Sequence, residues 1–315
     1  MPQMRMSVPI DCPKCTKSVN VPRHLGNVPL LDDTSPEGSR RMDITTITDV
    51  IRRPPDRPGD VWRPGDAWLA GGTWLFSAEQ PDTRRLVDLT ALGWAPLEVG
   101  TSHFSVGATC TVAELYAFVP PDNWHASPLI RVSCEYFLSS FKVWNAATVG
   151  GNICMSLPAG PMITLAVALE ATFTLWAADG TARTVDACDF VTGDHQNVLE
   201  PGEVLRSIEF PVHALTKQHA HRRFSLTHLG RSTIFMIATQ TPGLHDFHLT
   251  ITAGTTHPIR LTFDTMPDEE SLRRAVDAIP AENWFSDPNG TPDHRLHLAR
   301  HYADELRIEL TGSRS

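Results

Sequence analysis

An α+β fold built from several small units is what this chain predicts, and three observations carry the prediction. Two glycine pairs each follow what reads as a short strand, at Trp68-Leu69-Ala70-Gly71-Gly72-Thr73-Trp74 and Ala147-Thr148-Val149-Gly150-Gly151-Asn152. Alternating strand patterns and amphipathic helical patterns succeed one another in short pieces along the chain. No G-x-G-x-x-G follows any of these strands, so a doubly wound dinucleotide fold is not expected.

In chain order, residues 1–41 read as a polar, proline-punctuated extension, expected to be disordered, before an ordered chain starting at Met42. Arg52-Arg53-Pro54-Pro55-Asp56-Arg57-Pro58-Gly59-Asp60 is too proline-rich for regular structure. Asp66 to Ala70 reads as a strand, Arg85 to Leu89 as a second, and the stretch between them as a short helix, making a small βαβ-like unit. Phe104, Val106 and Ala108 alternate as a half-buried strand should.

Thr111-Val112-Ala113-Glu114 has the capping-box spacing that starts a helix. One helical pattern runs from Leu129 to Val143, and Pro161 to Glu170 reads as a buried helix. Thr172–Trp176 and Thr181–Val185 pair around Asp179-Gly180 as a hairpin, and the strand Val204–Phe210 closes the unit. A last unit from 219 to 312 holds alternating strands at 248–252 and 259–263, an amphipathic helix at 270–279, and a final helix with Leu298, Tyr302, Leu306 and Leu310 at four-residue steps.

Composition excludes several classes. A formal net charge of −9 gives no basic footprint for nucleic acid. The most apolar stretch, Ile163 to Trp176, is short and carries Glu170, so no membrane span is expected. No signal peptide is visible, because Arg5, Asp11 and Lys14 interrupt the start, and a cytoplasmic location follows.

Six cysteines without framework spacing suit reduced thiols. Cys12-Pro13-Lys14-Cys15 has half a zinc-knuckle spacing, with His24 a candidate third ligand, yet no fourth ligand is evident and no metal site is assigned. Walker, nucleophile-elbow and H-E-x-x-H motifs are absent, so no catalytic residue is assigned and the chemistry is expected to come from a cofactor.

A glycine pair removes both Cβ atoms, which lets backbone N–H groups approach an anion closely. Two such turns can grip a diphosphate from both sides.

Around these turns the chain resembles the FAD-binding subunit of the molybdenum hydroxylases, the carbon monoxide dehydrogenase and xanthine dehydrogenase flavoprotein family. The resemblance rests on Leu69-Ala70-Gly71-Gly72-Thr73, Leu86-Val87-Asp88-Leu89, Val106-Gly107-Ala108-Thr109-Cys110-Thr111, Ala147 to Asn152, Leu199-Glu200-Pro201-Gly202-Glu203 and Arg222-Arg223-Phe224-Ser225, in the family's order.

It implies a two-subdomain PCMH-type FAD-binding fold over 42–213, with subdomains at about 42–95 and 96–213. A small α+β C-terminal domain with an antiparallel sheet would follow over 219–312. It also implies FAD between two walls, contacted by Ala70, Gly71, Gly72 and Thr73 from one and by Thr148, Val149, Gly150, Gly151 and Asn152 from the other. The family's acidic contact falls on Pro161 here, so either Ser156 or a backbone carbonyl would substitute or FAD would bind less tightly, and Arg223 would lie near the flavin. Trp74 stands where the family often has a small polar residue.

The function implied is electron transfer within a complex. A molybdopterin-binding large subunit and a two-iron two-sulfur small subunit would pass electrons to FAD here, and NAD or dioxygen would accept them. A stand-alone FAD-dependent oxidoreductase and a non-catalytic scaffold that has lost FAD are the alternatives.

Overall fold

The computed structural model describes residues 46–312; the expectations for residues 1–41, including Cys12, Cys15 and His24, lie outside the described residues. Three short strands come first: β1 (Asp49–Ile51), β2 (Asp66–Leu69) and β3 (Arg85–Asp88), in the order β1–β3–β2 with both pairings parallel. Arg85 and Asp66 face each other in this register, and the guanidinium donates to both carboxylate oxygens at 2.9 and 2.6 Å. The short helix expected between β2 and β3 is instead a run of turns from Thr73 to Ser77. Gly72 at its start has φ +68° and accepts from Phe76 N–H at 2.9 Å, but the turns do not continue into a helix.

The next strands are β4 (Leu97–Val99), β5 (His103–Gly107), β6 (Thr172–Trp176) and β7 (Ala182–Asp186). A small hairpin, β8 (Val191–Gly193) and β9 (Gln196–Asn197), leads to the long strand β10 (Val204–Pro211). Five of them form an antiparallel sheet in the order β4–β5–β10–β6–β7, in which Phe104, Val106, Phe173, Leu175 and Ile208 turn inward.

Helices supply the other layer of this core: α1 (Val112–Ala117), α2 (Pro128–Glu135), α3 (Phe141–Trp144), α4 (Val149–Cys154), α5 (Pro161–Ala168), α6 (Ala187–Phe190) and α7 (Val212–Leu215). The capping box at α1 is formed as the sequence predicts: Glu114 N–H donates to Thr111 Oγ1 at 3.2 Å and Thr111 N–H to Glu114 Oε2 at 2.8 Å. All eight residues of α5 are buried, so this helix is apolar all round.

Two readings of the sequence change here. The single helix expected from Leu129 to Val143 is broken into α2 and α3, because Leu138 has φ +52° and diverts the chain. The second glycine pair lies inside the first turn of α4 instead of in a turn leaving a strand.

The third unit is a four-stranded antiparallel meander, β11 (Gln218–Phe224), β12 (Ile234–Gln240), β13 (Phe247–Thr252) and β14 (Ile259–Phe263). The helices α8 (Glu269–Asp277) and α9 (Pro292–Gly312) pack on it around a second core. β12 is buried at every position, packed against α5 and α9. Each fully buried Leu, Ile or Phe in such a layer contributes about 1.5–3 kcal/mol.

His219 on β11 sets part of the acid sensitivity of this unit. Its ring Nδ1 is buried with no hydrogen-bond partner, and burial, aided by the neighbouring His221, pushes its pKa from 6.5 to about 4 against the opposing pull of Glu309. The unfolded chain takes up this proton near pH 6.5 and the folded chain only near pH 4. Stability from neutral His219 is therefore complete above 6.5 and falls as pH drops from 6.5 toward 4. Urea unfolding is expected to show His219→Leu losing about 2 kcal/mol less stability than the wild type between neutral pH and the bottom of that window.

Candidate functional site

A cleft of about 760 Å³ opens between the β2–β3 loop, the α2–α3 break, the start of α4, the α4–α5 connection and the tip of the β11–β12 hairpin. That size suits a cofactor-sized ligand. A second hollow, about 210 Å³ beside Arg57, Gly59 and Trp176, is too small for a dinucleotide.

The two glycine pairs bring the walls together differently from one another. A Cβ built on Gly71 would overlap the carbonyl oxygen of Ala146, just before α4, so the walls meet backbone to backbone and only glycine fits. Within the β2–β3 loop the carbonyls of Gly72, Trp74, Leu75 and Ala78 accept hydrogen bonds from Phe76, Ser77 and Gln80. The N–H groups of Gly71, Gly72, Thr73 and Trp74 donate to no group among the described residues. Consecutive unpaired amides of this kind form a cradle for an anion.

On the second wall the amides of the glycine pair are already used. Gly150 N–H donates to Ala108 O at 3.0 Å, Gly151 N–H to Thr148 Oγ1 at 3.0 Å, and Asn152 N–H to Thr148 O at 3.0 Å. Gly150 packs on Ala108, whose Cβ would lie 2.6 Å from an added Cβ. Side chains replace the amides on this wall. Thr148 Oγ1 accepts from Gly151, which leaves its hydroxyl proton available. Asn152 Oδ1 accepts from Met162 N–H at 3.2 Å at the start of α5, which orients its Nδ2 as a free donor. Pro161, the first residue of α5, lines the cleft without an N–H.

Of the residues singled out from sequence, Ala70, Gly71, Gly72, Thr73, Thr148, Gly151 and Asn152 line this cleft together. Val149 and Gly150 are buried behind its wall. Ser156 lies elsewhere: it is fully buried with φ +53°, its hydroxyl donating to Ile153 and Cys154 carbonyls and accepting from Asn197. Arg223 stands one layer back, its guanidinium 5.0 Å from the ring of Tyr136, held by Ser232 Oγ at 2.7 Å and by the Gly230 carbonyl.

Tyr136, Phe137, Leu138 and Leu229 on the wall carry no motif, and the chain break at Leu138 that presents them has no glycine to announce it. Tyr136 is fixed from three sides, by Arg223, by a hydrogen bond with His221 Nε2 at 3.4 Å and by Phe235 edge-on at 5.1 Å. Burial raises the pKa of its phenol, opposed by the Arg223 charge. Burial likewise pushes the Cys154 thiol up to about 12, so it is no nucleophile. Arg231 and Ser232 supply the polar edge of the far side. No carboxylate or imidazole lines the cleft among the described residues, and none of these residues forms a group of His, Cys, Asp or Glu able to hold a metal ion. Among the described residues no helix is long and apolar enough to cross a membrane.

Comparison with known proteins agrees with this geometry. A family model described as the FAD binding domain in molybdopterin dehydrogenase matches residues 62–213. Xanthine dehydrogenase of Oryza sativa subsp. japonica is 31% identical over 121 residues, 36% of this chain and 9% of that protein. The nicotinate dehydrogenase FAD-subunit of Eubacterium barkeri is 29% identical over 136 residues, 41% of this chain and 43% of that protein. The chain thus spans well under two thirds of either curated relative. A chain of the carbon monoxide dehydrogenase structure from Hydrogenophaga pseudoflava superposes with a TM-score of 0.70 at 20% identity, covering 84% of this chain and 97% of that one.

At that identity the superposition speaks for the fold alone, an α+β PCMH-type FAD-binding fold followed by a smaller unit with an antiparallel sheet. The cleft passes the corresponding test of fit, with open amides for a diphosphate, a side-chain-free floor at Gly151 and room for a dinucleotide. Residues 62–213 thus match the family model of the FAD binding domain in molybdopterin dehydrogenase, the part of the chain that forms most of the cleft.

Proposed function

We propose that this chain is the FAD-carrying electron-transfer subunit of a molybdenum hydroxylase complex. A molybdopterin-binding large subunit would oxidise the substrate, a small subunit with two-iron two-sulfur clusters would relay the electrons, and NAD or dioxygen would receive them. Bound FAD supplies the exchange between one-electron and two-electron transfer. The observation that carries the reading is a dinucleotide-sized cleft with an open anion cradle and, among the described residues, no carboxylate or imidazole on its walls. An enzyme acting alone on its own substrate would need a positioned acid or base there. The relatives support the same reading, since the match is a small part of a larger chain in one and lies in a named FAD subunit in the other.

On this reading the amides of Gly71, Gly72, Thr73 and Trp74 hold the diphosphate. The Thr148 hydroxyl and the Asn152 amide donate from the opposite wall, and Tyr136, backed by the Arg223 charge, walls the cleft beside the cofactor. The FAD domain would occupy 42–213 and the smaller domain 219–312. The four described cysteines are all free thiols, which suits the reducing cytoplasm.

Gly151 separates binding from folding. An added Cβ would meet only Thr148 Oγ1, at 2.8 Å, and otherwise project into the open cleft. Gly151→Ala is expected to weaken FAD about tenfold, as loss of one charge-assisted hydrogen bond would. Thermal unfolding should leave stability within about 1 kcal/mol, since alanine suits a helix better than glycine. The function itself is tested by purifying the chain alone and with its co-expressed gene neighbours. Flavin absorbance in the chain alone, and flavin with iron–sulfur absorbance in the assembly, are expected; a chain that stays colourless after incubation with FAD contradicts the assignment.

A further inference from the structure

The indole of Trp74 is 48% exposed, yet it lies on the wall of the cleft rather than on an outer face. It directly follows Gly71, Gly72 and Thr73, whose amides share the anion cradle with its own. Beside it stands His195, at the tip of the β8–β9 hairpin, with ring centroids 5.9 Å apart and planes tilted by 45°. His195 is itself held, its φ at +58° and its Nδ1 2.9 Å from Asp194 Oδ1. His195 does not line the cleft, and its ring packs beside the indole. A large apolar ring left half in water, and fixed beforehand by a neighbour, loses little freedom when a second planar ring covers it.

We propose that Trp74 is a stacking platform for a planar ring of the bound dinucleotide, braced by His195. The proposal rests on the FAD reading, whose ligand carries such rings on both sides of a diphosphate. With the diphosphate on the amides of residues 71–74, the indole belongs to the last residue of the cradle and is within reach of the ring next to the phosphates. The shared chemistry is a flat heteroaromatic ring, and the experiment tells adenine from isoalloxazine.

Equilibrium binding of FAD to the purified full-length chain is compared for wild type, Trp74→Phe and Trp74→Ala, with ADP, FMN and inorganic pyrophosphate as partial ligands. Trp74→Phe is expected to bind FAD within about threefold of wild type and Trp74→Ala about tenfold more weakly, as for other aromatic–base stacks. Weakened ADP binding identifies adenine as the stacked ring and weakened FMN binding identifies isoalloxazine, while pyrophosphate binding is unchanged in both variants.

Equal FAD affinity in wild type and Trp74→Ala overturns the platform. So does a matching loss of pyrophosphate binding, which would mean that the substitution only deforms the loop. If Trp74→Ala fails to fold, Trp74→Phe and Trp74→Leu keep the comparison, because only the aromatic variant should retain affinity. Failure of the wild type to bind FAD overturns the cofactor reading together with the platform, whereas wild-type binding with an indifferent Trp74 overturns the platform alone.

Discussion

Gly71→Ala weakens FAD binding ten- to a hundredfold, the largest effect on the cofactor expected from one methyl group in this chain. Gly71 sits where the β2–β3 loop touches the backbone before α4, and its added Cβ would occupy the space of the Ala146 carbonyl oxygen. A backbone oxygen cannot rotate away as a flexible side chain would, so the two walls of the cleft must part. Parting them removes the register between the amides of residues 71–74 on one side and Thr148 and Asn152 on the other. Loss of one charge-assisted hydrogen bond, worth about 1.5–3 kcal/mol, gives the stated range. Overpacking should also lower stability by about 1–3 kcal/mol. Flavin fluorescence titration and thermal unfolding measure the two effects separately, and wild-type affinity in Gly71→Ala would show that the walls do not need to meet.

Arg295→Met is expected to be the most destabilising single change, at about 3–5 kcal/mol in denaturant unfolding. Arg295 on α9 is fully buried, with 0% exposure. Its guanidinium donates to Gly290 O at 3.1 Å, to Thr233 O at 2.9 Å, to Ala253 O and to the Asp287 carboxylate. Methionine fills similar space but removes the guanidinium from Asp287 and leaves the Thr233 and Ala253 carbonyls without that donor. The effect reaches the cleft, because Ala253, held at φ +61°, donates its N–H to Pro158 O at 2.7 Å in the α4–α5 connection. Leu157 and Ala159 on either side of Pro158 line the cleft. FAD added in excess should therefore recover part of the lost stability, by ligand linkage. Asp287→Asn, which keeps an acceptor for Arg295, is expected to be milder.

What could be read from the sequence was what depends on local chemistry. The Thr111–Glu114 capping box, the Asp179-Gly180 hairpin and the alternation at Phe104 and Val106 are each set by neighbours in sequence, and each forms as expected. The first glycine pair was legible for the same reason: consecutive residues without Cβ atoms free their own amides.

The second pair misled, because the acceptors that consume its amides are Ala108 and Thr148, and Ala108 lies on another element. β12 was missed because a strand buried on both faces shows no alternation, and Ile234 to Gln240 has none. The break at Leu138 was missed because a leucine at positive φ is imposed by tertiary packing. Arg295 looks from its helix like an ordinary exposed basic residue. Two of its acceptors lie 42 and 62 positions away along the chain. The departures at Trp74 and Pro161 were visible in the sequence, but only the structure shows that both face the same cleft.

Whether the unpaired amides of Gly71 to Trp74 hold a diphosphate is decided by a crystal structure of the chain with FAD. Diphosphate oxygens are expected within hydrogen-bond distance, about 2.7–3.2 Å, of those backbone nitrogens. A cofactor bound with its diphosphate elsewhere, and those amides left facing solvent, would contradict this arrangement.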